Sequence, residues 1–122
     1  MSQILHWVEY PSQNGERATS LYSSVLKIDL SVMQAVDLKT AFFPHSSTTQ
    51  TGGCLMQSTA YLPSDKGSII YFNGGRNLQN TLNRVKKAEG KILLPKTSLG
   101  QNGFMAHILD SERNRVGLHA KK

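Results

Sequence analysis

A chain of 122 residues that is 39% hydrophobic and 18% charged is long enough for one domain around one core. Its alphabet is too mixed for a disordered tail, a collagen-like repeat or a coiled coil, and no apolar run approaches the ~18 residues needed to span a bilayer. The net charge of +6 is uneven: residues 1–61 hold three Lys/Arg against four Asp/Glu, whereas residues 62–122 hold eleven against four.

Residues 4–11 (ILHWVEYP) read as a strand with Ile4, His6, Val8 and Tyr10 on one face and Leu5, Trp7, Glu9 and Pro11 on the other. Pro11 is expected to end it, and Ser12 or Asn14 to cap the helix that follows. Over residues 14–26, Ala18, Leu21, Tyr22 and Val25 recur at helical spacing, which predicts one buried stripe. Three strands are expected next, at 28–36, 39–45 and 53–59. The pattern then restarts with SIIYFN (68–73) as a strand. Asn77 caps a helix lined by Leu78, Leu82 and Val85, and Gly90 stands at the helix C′ position. Strands at 91–95, 104–110 and 115–120 complete the chain, the last two joined through SERN as a hairpin.

Sliding the chain on itself by 60 or 61 residues lays strand on strand and places Ala18 over Leu78, Tyr22 over Leu82 and Val25 over Val85. The order of elements is therefore βαβββ twice. A single helix cannot cover a four-stranded sheet, so the two units should pair and share a core within one domain, with modules at 1–61 and 62–122. The expected fold is α+β: two βαβββ modules pairing into a curved mixed sheet around a cleft. Helices cover the outside, and Trp7 and Glu9 point inward, matched by Ser68, Ile70 and Phe72.

In this order the chain resembles the vicinal oxygen chelate superfamily, which holds glyoxalase I, bleomycin-resistance proteins and extradiol dioxygenases. The resemblance is carried by WVEYP at 7–11, LYSSVLKI at 21–28, the GGCLM strand, AEGKILLPKT at 88–97 and DSERNRVGLH at 110–119, and is nearest to the small glyoxalase-like branch. Lys27 stands where that pattern has a helix-ending Gly, and Ser111 and Arg113 replace the Pro and Gly of its hairpin turn. The resemblance implies a divalent metal held by His, Gln or Glu at four strand positions, which fall here at Trp7, within Gly53 to Leu55, at Ser68 and at Gly117. None of these is a His, Glu or Gln, and a one-residue slip of the first strand would substitute only His6. No metal and no cofactor are therefore expected.

Glu9 is a candidate general base or, equally, a structural carboxylate bonded to Arg115 or to backbone amides. His119, on the face of Arg115 and Gly117, could meet Glu9 or a ligand, or stand half exposed and idle. His45 and His107 read as structural. Trp7, Phe72 and Phe42 or Phe43 would give a cleft an aromatic wall or simply fill the interior. Cys54 lacks a neighbouring base and reads as a small buried hydrophobe. It forms no internal disulfide and, with no leader-like segment at the amino terminus, fits a cytoplasmic protein.

The expected function is binding of a small organic molecule, aromatic or apolar, in a cleft lined by Trp7, Glu9, Ser68, Ile70, Phe72, Arg115 and His119. The alternative is a lyase or isomerase using Glu9 as base. The resemblance implies a homodimer with clefts at or near the interface, and no membrane partner is expected. A basic cluster from Arg76 to Lys91 opens a nucleic-acid reading. With no aromatic residues interleaved to stack bases, the cluster reads better as a solvated helix face, and a nucleic-acid partner is not expected.

Overall fold

The computed structural model describes residues 4–35, 38–44 and 51–122. In chain order it contains β1 (Trp7–Ser12), α1 (Gly15–Leu26), β2 (Ser31–Ala35), β3 (Leu38–Phe42), β4 (Gly52–Gln57), β5 (Tyr71–Asn73), α2 (Leu78–Lys87), β6 (Lys91–Ser98), β7 (Phe104–Leu109) and β8 (Arg115–Ala120). The first four strands form one mixed sheet in the order β1-β4-β3-β2, and the second four repeat it as β5-β8-β7-β6. In each sheet the strand before the helix pairs in parallel with the last strand of its module, and the remaining pairs are antiparallel. This is the α+β architecture of two βαβββ units. No helix among the described residues is long and apolar enough to cross a membrane.

Local chemistry explains the helix ends. Asn14 and Asn77 both adopt extended backbone and accept, through the side chain, an amide three residues on, Arg17 at 3.0 Å and Asn80 at 3.3 Å. Pro11 lies inside β1 rather than ending it, because β1 is a sheet edge, where no neighbour needs the missing N–H. At the end of α2 it is Glu89, with φ 65°, and not Gly90 that takes the left-handed position. Gly90 is required for another reason: a Cβ there would lie 2.8 Å from Val85 Cγ1.

Both helices bury the same stripe, Ala18, Leu21, Tyr22 and Val25 in α1 against Leu78, Thr81, Leu82 and Val85 in α2. They pack on each other and on their own sheets, so the helix-bearing sides of both modules merge into one core. At its centre Tyr10 stacks on Phe72 at 5.9 Å, and Tyr22 and Phe43 close around the same ring. Tyr10 and Phe72 are thus equivalent residues of the two modules. Strand equivalence therefore runs at an offset of 62, one residue beyond the 61 that matched Trp7 with Ser68 and Glu9 with Ile70, which makes Ile69 and Tyr71 the partners of Trp7 and Glu9. The expected inward placement of Ile70 and Phe72 is corrected accordingly: both pack on the core side. An odd shift along a strand exchanges its two faces.

The β7–β8 turn ties the modules together. Asp110 accepts from the Tyr22 hydroxyl at 2.6 Å, from the amides of Glu112 and Asn114 and from Asn114 Nδ2. Glu112, buried, accepts from the amides of Gln13 and Asn14, both at 2.8 Å, from Ser111 Oγ and from Arg17 Nε at 2.7 Å. Burial alone would raise the Glu112 carboxyl, but Arg17 and the other donors outweigh it and hold the carboxyl below its ordinary value.

Candidate functional site

Each sheet has a second face that no helix covers. On the first sheet, alternation along β1 places Trp7 and Glu9 there, since Val8 packs against the core and Tyr10 is buried in it. Trp7, 44% exposed, meets Phe42 edge to face with centroids 6.1 Å apart. Glu9 is exposed and accepts from the Tyr61 hydroxyl at 3.0 Å. That phenol is pushed up to about 12, by burial first and then by the Glu9 bond. Cys54 pairs with Glu9 across β1–β4 and is buried. Burial and the Glu9 charge push its thiol up, so it is held as a thiol rather than a nucleophilic thiolate.

On the second sheet the open face carries Tyr71, Met105, His107, Arg115 and His119, while Ala106, Val116, Leu118 and Ala120 turn to the core. Arg115 Nε donates to His107 Nδ1 at 3.1 Å, which leaves the imidazole proton on Nε2, 2.7 Å from the Tyr71 hydroxyl. Burial, and secondly the Arg115 charge, lower the His107 pKa and favour this neutral form. Tyr71 lies flat over Gly117, where an added Cβ would come within 2.6 Å of its ring. His119 Nε2 donates to the Asn102 carbonyl at 2.6 Å. A groove of about 980 Å³ runs beside this face, lined by Tyr71, Met105, His119, Arg76 and Lys121 among others.

The seven expected binding residues thus fall in separate places. Trp7 and Glu9 share one open face, Arg115 and His119 share the other, Ile70 and Phe72 border the core, and Ser68 is exposed ahead of β5. Glu9 pairs with Tyr61 and Arg115 with His107, so the expected Glu9–Arg115 and Glu9–His119 pairings are not formed. His45 lies outside the described residues. Tyr61 escaped sequence reasoning because it comes from a loop with no periodicity. His107 was legible in part, through its alternation with Ala106 and Ile108, but its partner Tyr71 was hidden by the odd offset.

The four positions at which the resemblance implies metal ligands do not fit a metal. Trp7 offers indole, Gly53 no side chain, Cys54 a raised thiol and Leu55 a core aliphatic group. Ser68 is exposed and lies outside β5, and the room beside Gly117 is taken by the Tyr71 ring. The one-residue slip to His6 is also excluded, since Tyr10 is buried in the core. Among the described residues, no three His, Cys, Asp or Glu side chains come together as a metal cluster. No chemical step is therefore derived through a metal.

The paired βαβββ modules and their two open sheet faces make up the glyoxalase/bleomycin-resistance fold. The chain is similar to the trypanothione-dependent glyoxalase I of Leishmania major, with 14% identity over 98% of this chain and 88% of that one and a TM-score of 0.72. It is likewise similar to the fosfomycin resistance protein FosX of Listeria monocytogenes, at 14% identity over 100% and 93% of the two chains and a TM-score of 0.72. Glyoxalase I of Zea mays matches at 16% identity over 95% of this chain and 46% of that one, with a TM-score of 0.74. No family model matches the sequence, and no curated protein sequence does.

Proposed function

We propose that this protein is a glyoxalase/bleomycin-resistance-like binding protein that works without the superfamily's metal and takes up a small aromatic or apolar molecule on an open sheet face. The observation that carries the reading is the half-exposed Trp7, edge-on to Phe42 and beside the Glu9–Tyr61 pair. An aromatic ledge next to one acceptor suits a flat ligand with a single polar group. Exposed Met33 on the same sheet leaves this face apolar enough to pair with a second copy, so the working form is a homodimer with clefts at the interface. Glyoxalase I and a fosfomycin resistance protein among similar folds support a small-molecule ligand. The lone, buried Cys54 is compatible with a cytoplasmic setting.

Native mass spectrometry of the purified protein, with and without added Ni²⁺, Zn²⁺ or Mn²⁺, tests this directly. A metal-free dimer carrying an organic adduct is expected, and titration of that compound should quench Trp7, the only tryptophan. A bare monomer, or stoichiometric metal, would overturn the reading.

The alternative is a lyase or isomerase in which Glu9 takes a proton from bound substrate. It is favoured by the position of that carboxylate on an accessible face, oriented by the Tyr61 hydroxyl. Turnover that disappears in Glu9→Gln while ligand binding persists would establish it.

A further inference from the structure

A cavity of about 540 Å³ lies at the seam between the modules, away from Trp7 and Glu9. Its walls include Val8, Leu26, Ile28, Phe43, Ile70 and Phe72. The volume falls within the range of small-molecule sites, and an apolar wall with few polar groups is their usual character. Among the described residues lining it, Arg84 is the only charged one, with no Asp, Glu, Lys or His beside it. Among the described residues Arg84 forms no ion pair. Its guanidinium is half buried, with Nε donating to the Val25 carbonyl at 3.0 Å and Nη2 donating to Thr81 Oγ1 at 2.9 Å. These bonds fix the fork in place and use two of its five N–H groups, leaving three for an acceptor. A fixed, partly desolvated cation without a carboxylate, at the wall of an apolar chamber, is an arrangement that a ligand anion completes.

We propose that this seam cavity is a binding site for an aromatic or aliphatic monocarboxylic acid, its hydrocarbon body between Phe43, Phe72 and the aliphatic wall and its carboxylate on Arg84. A planar carboxylate matches the guanidinium fork, whereas a dianion would find no second cation among the described lining residues. The site is separate from the open-face reading above and stands or falls independently of it.

Calorimetric titration with naphthalene-2-carboxylate, against neutral naphthalene-2-methanol, tests the proposal on the unmodified protein. The acid should bind in the micromolar range, and the alcohol should bind roughly tenfold or more weakly. Arg84→Met should close that gap. Leu26→Trp, which keeps Arg84 but fills the chamber, should abolish binding of both, and thermal melts of each variant verify that it is folded. Methyl NMR locates the bound acid: shifts at Val25, Leu26 and Ile28 report the seam, whereas shifts at Met33, Met56 and the Trp7 indole report the open face. Equal affinity for acid and alcohol, binding that survives Leu26→Trp, shifts confined to the open face, or no binding up to about 1 mM would each overturn the proposal.

Discussion

Two departures from the family pattern, Lys27 and Arg113, occupy positions that the fold still holds in left-handed backbone, with φ of 55° and 78°. A side chain there costs about 1 kcal/mol relative to glycine. Lys27→Gly should therefore raise stability by roughly 0.5 to 1 kcal/mol in urea unfolding, despite glycine's larger unfolded-state entropy. Glu112 has the opposite character, since every oxygen contact it makes replaces lost water. Glu112→Gln should cost about 2 kcal/mol near neutral pH, a figure discounted because the Arg17 side chain remains 51% exposed. As the Glu112 carboxyl titrates below its ordinary 4.5, its contribution is complete above that value and is lost as pH falls through the lower folded value. Asp110 has the reverse sign. Burial raises it above its ordinary 3.8, so its ionisation opposes folding as pH rises through that interval. Acid melts of the wild type and Glu112→Gln should converge as pH falls from 4.5 through the lowered folded value of Glu112.

At the scale of elements, the parallel pair β5–β8 fixes the polar face of the second sheet. Gly117 admits the Tyr71 ring, and that ring reaches His107. Gly117→Ala should displace Tyr71, cost roughly 1 to 3 kcal/mol through overpacking, and expose the imidazole. An NMR titration should then show the His107 pKa moving up toward its ordinary 6.5 as the burial that lowers it is relieved. If the pKa stays put while stability falls, the Tyr71 ring is not what shields His107.

Across the whole molecule, the two modules share one core instead of owning one each. Tyr10 and Phe72 stack across the seam, Arg84 of α2 donates to a carbonyl of α1, and Glu112 of the last hairpin holds the start of α1. Phe72→Ala should cost about 3 to 5 kcal/mol. Calorimetric and van't Hoff enthalpies should still agree, with both modules melting in one transition. We expect a fragment of residues 1–61 to show no cooperative unfolding by itself, since the seam side of its Tyr10, Tyr22 and Phe43 cluster would be left open to water.

Helical periodicity, the Asn77 cap, the repeat of βαβββ and the placement of Trp7 and Glu9 on the sheet face opposite the helices were legible in the chain, because each depends on neighbours a few residues away, whereas the choice of Asn14 over Ser12 as the first cap was left to the structure. The motifs behind the family resemblance were legible too. LYSSVL and DSERN turn out to meet through the Tyr22–Asp110 bond, which explains why they signal a fold and not a chemistry. What the tertiary structure alone decided is which residues share a site. Ile70 and Phe72 belong to the core and seam, Glu9 pairs with Tyr61, and Arg115 aligns His107 toward Tyr71. The reason is physical: side chains alternate along a strand, so facing depends on a one-residue register that is set by packing against distant elements and leaves no mark in the local sequence.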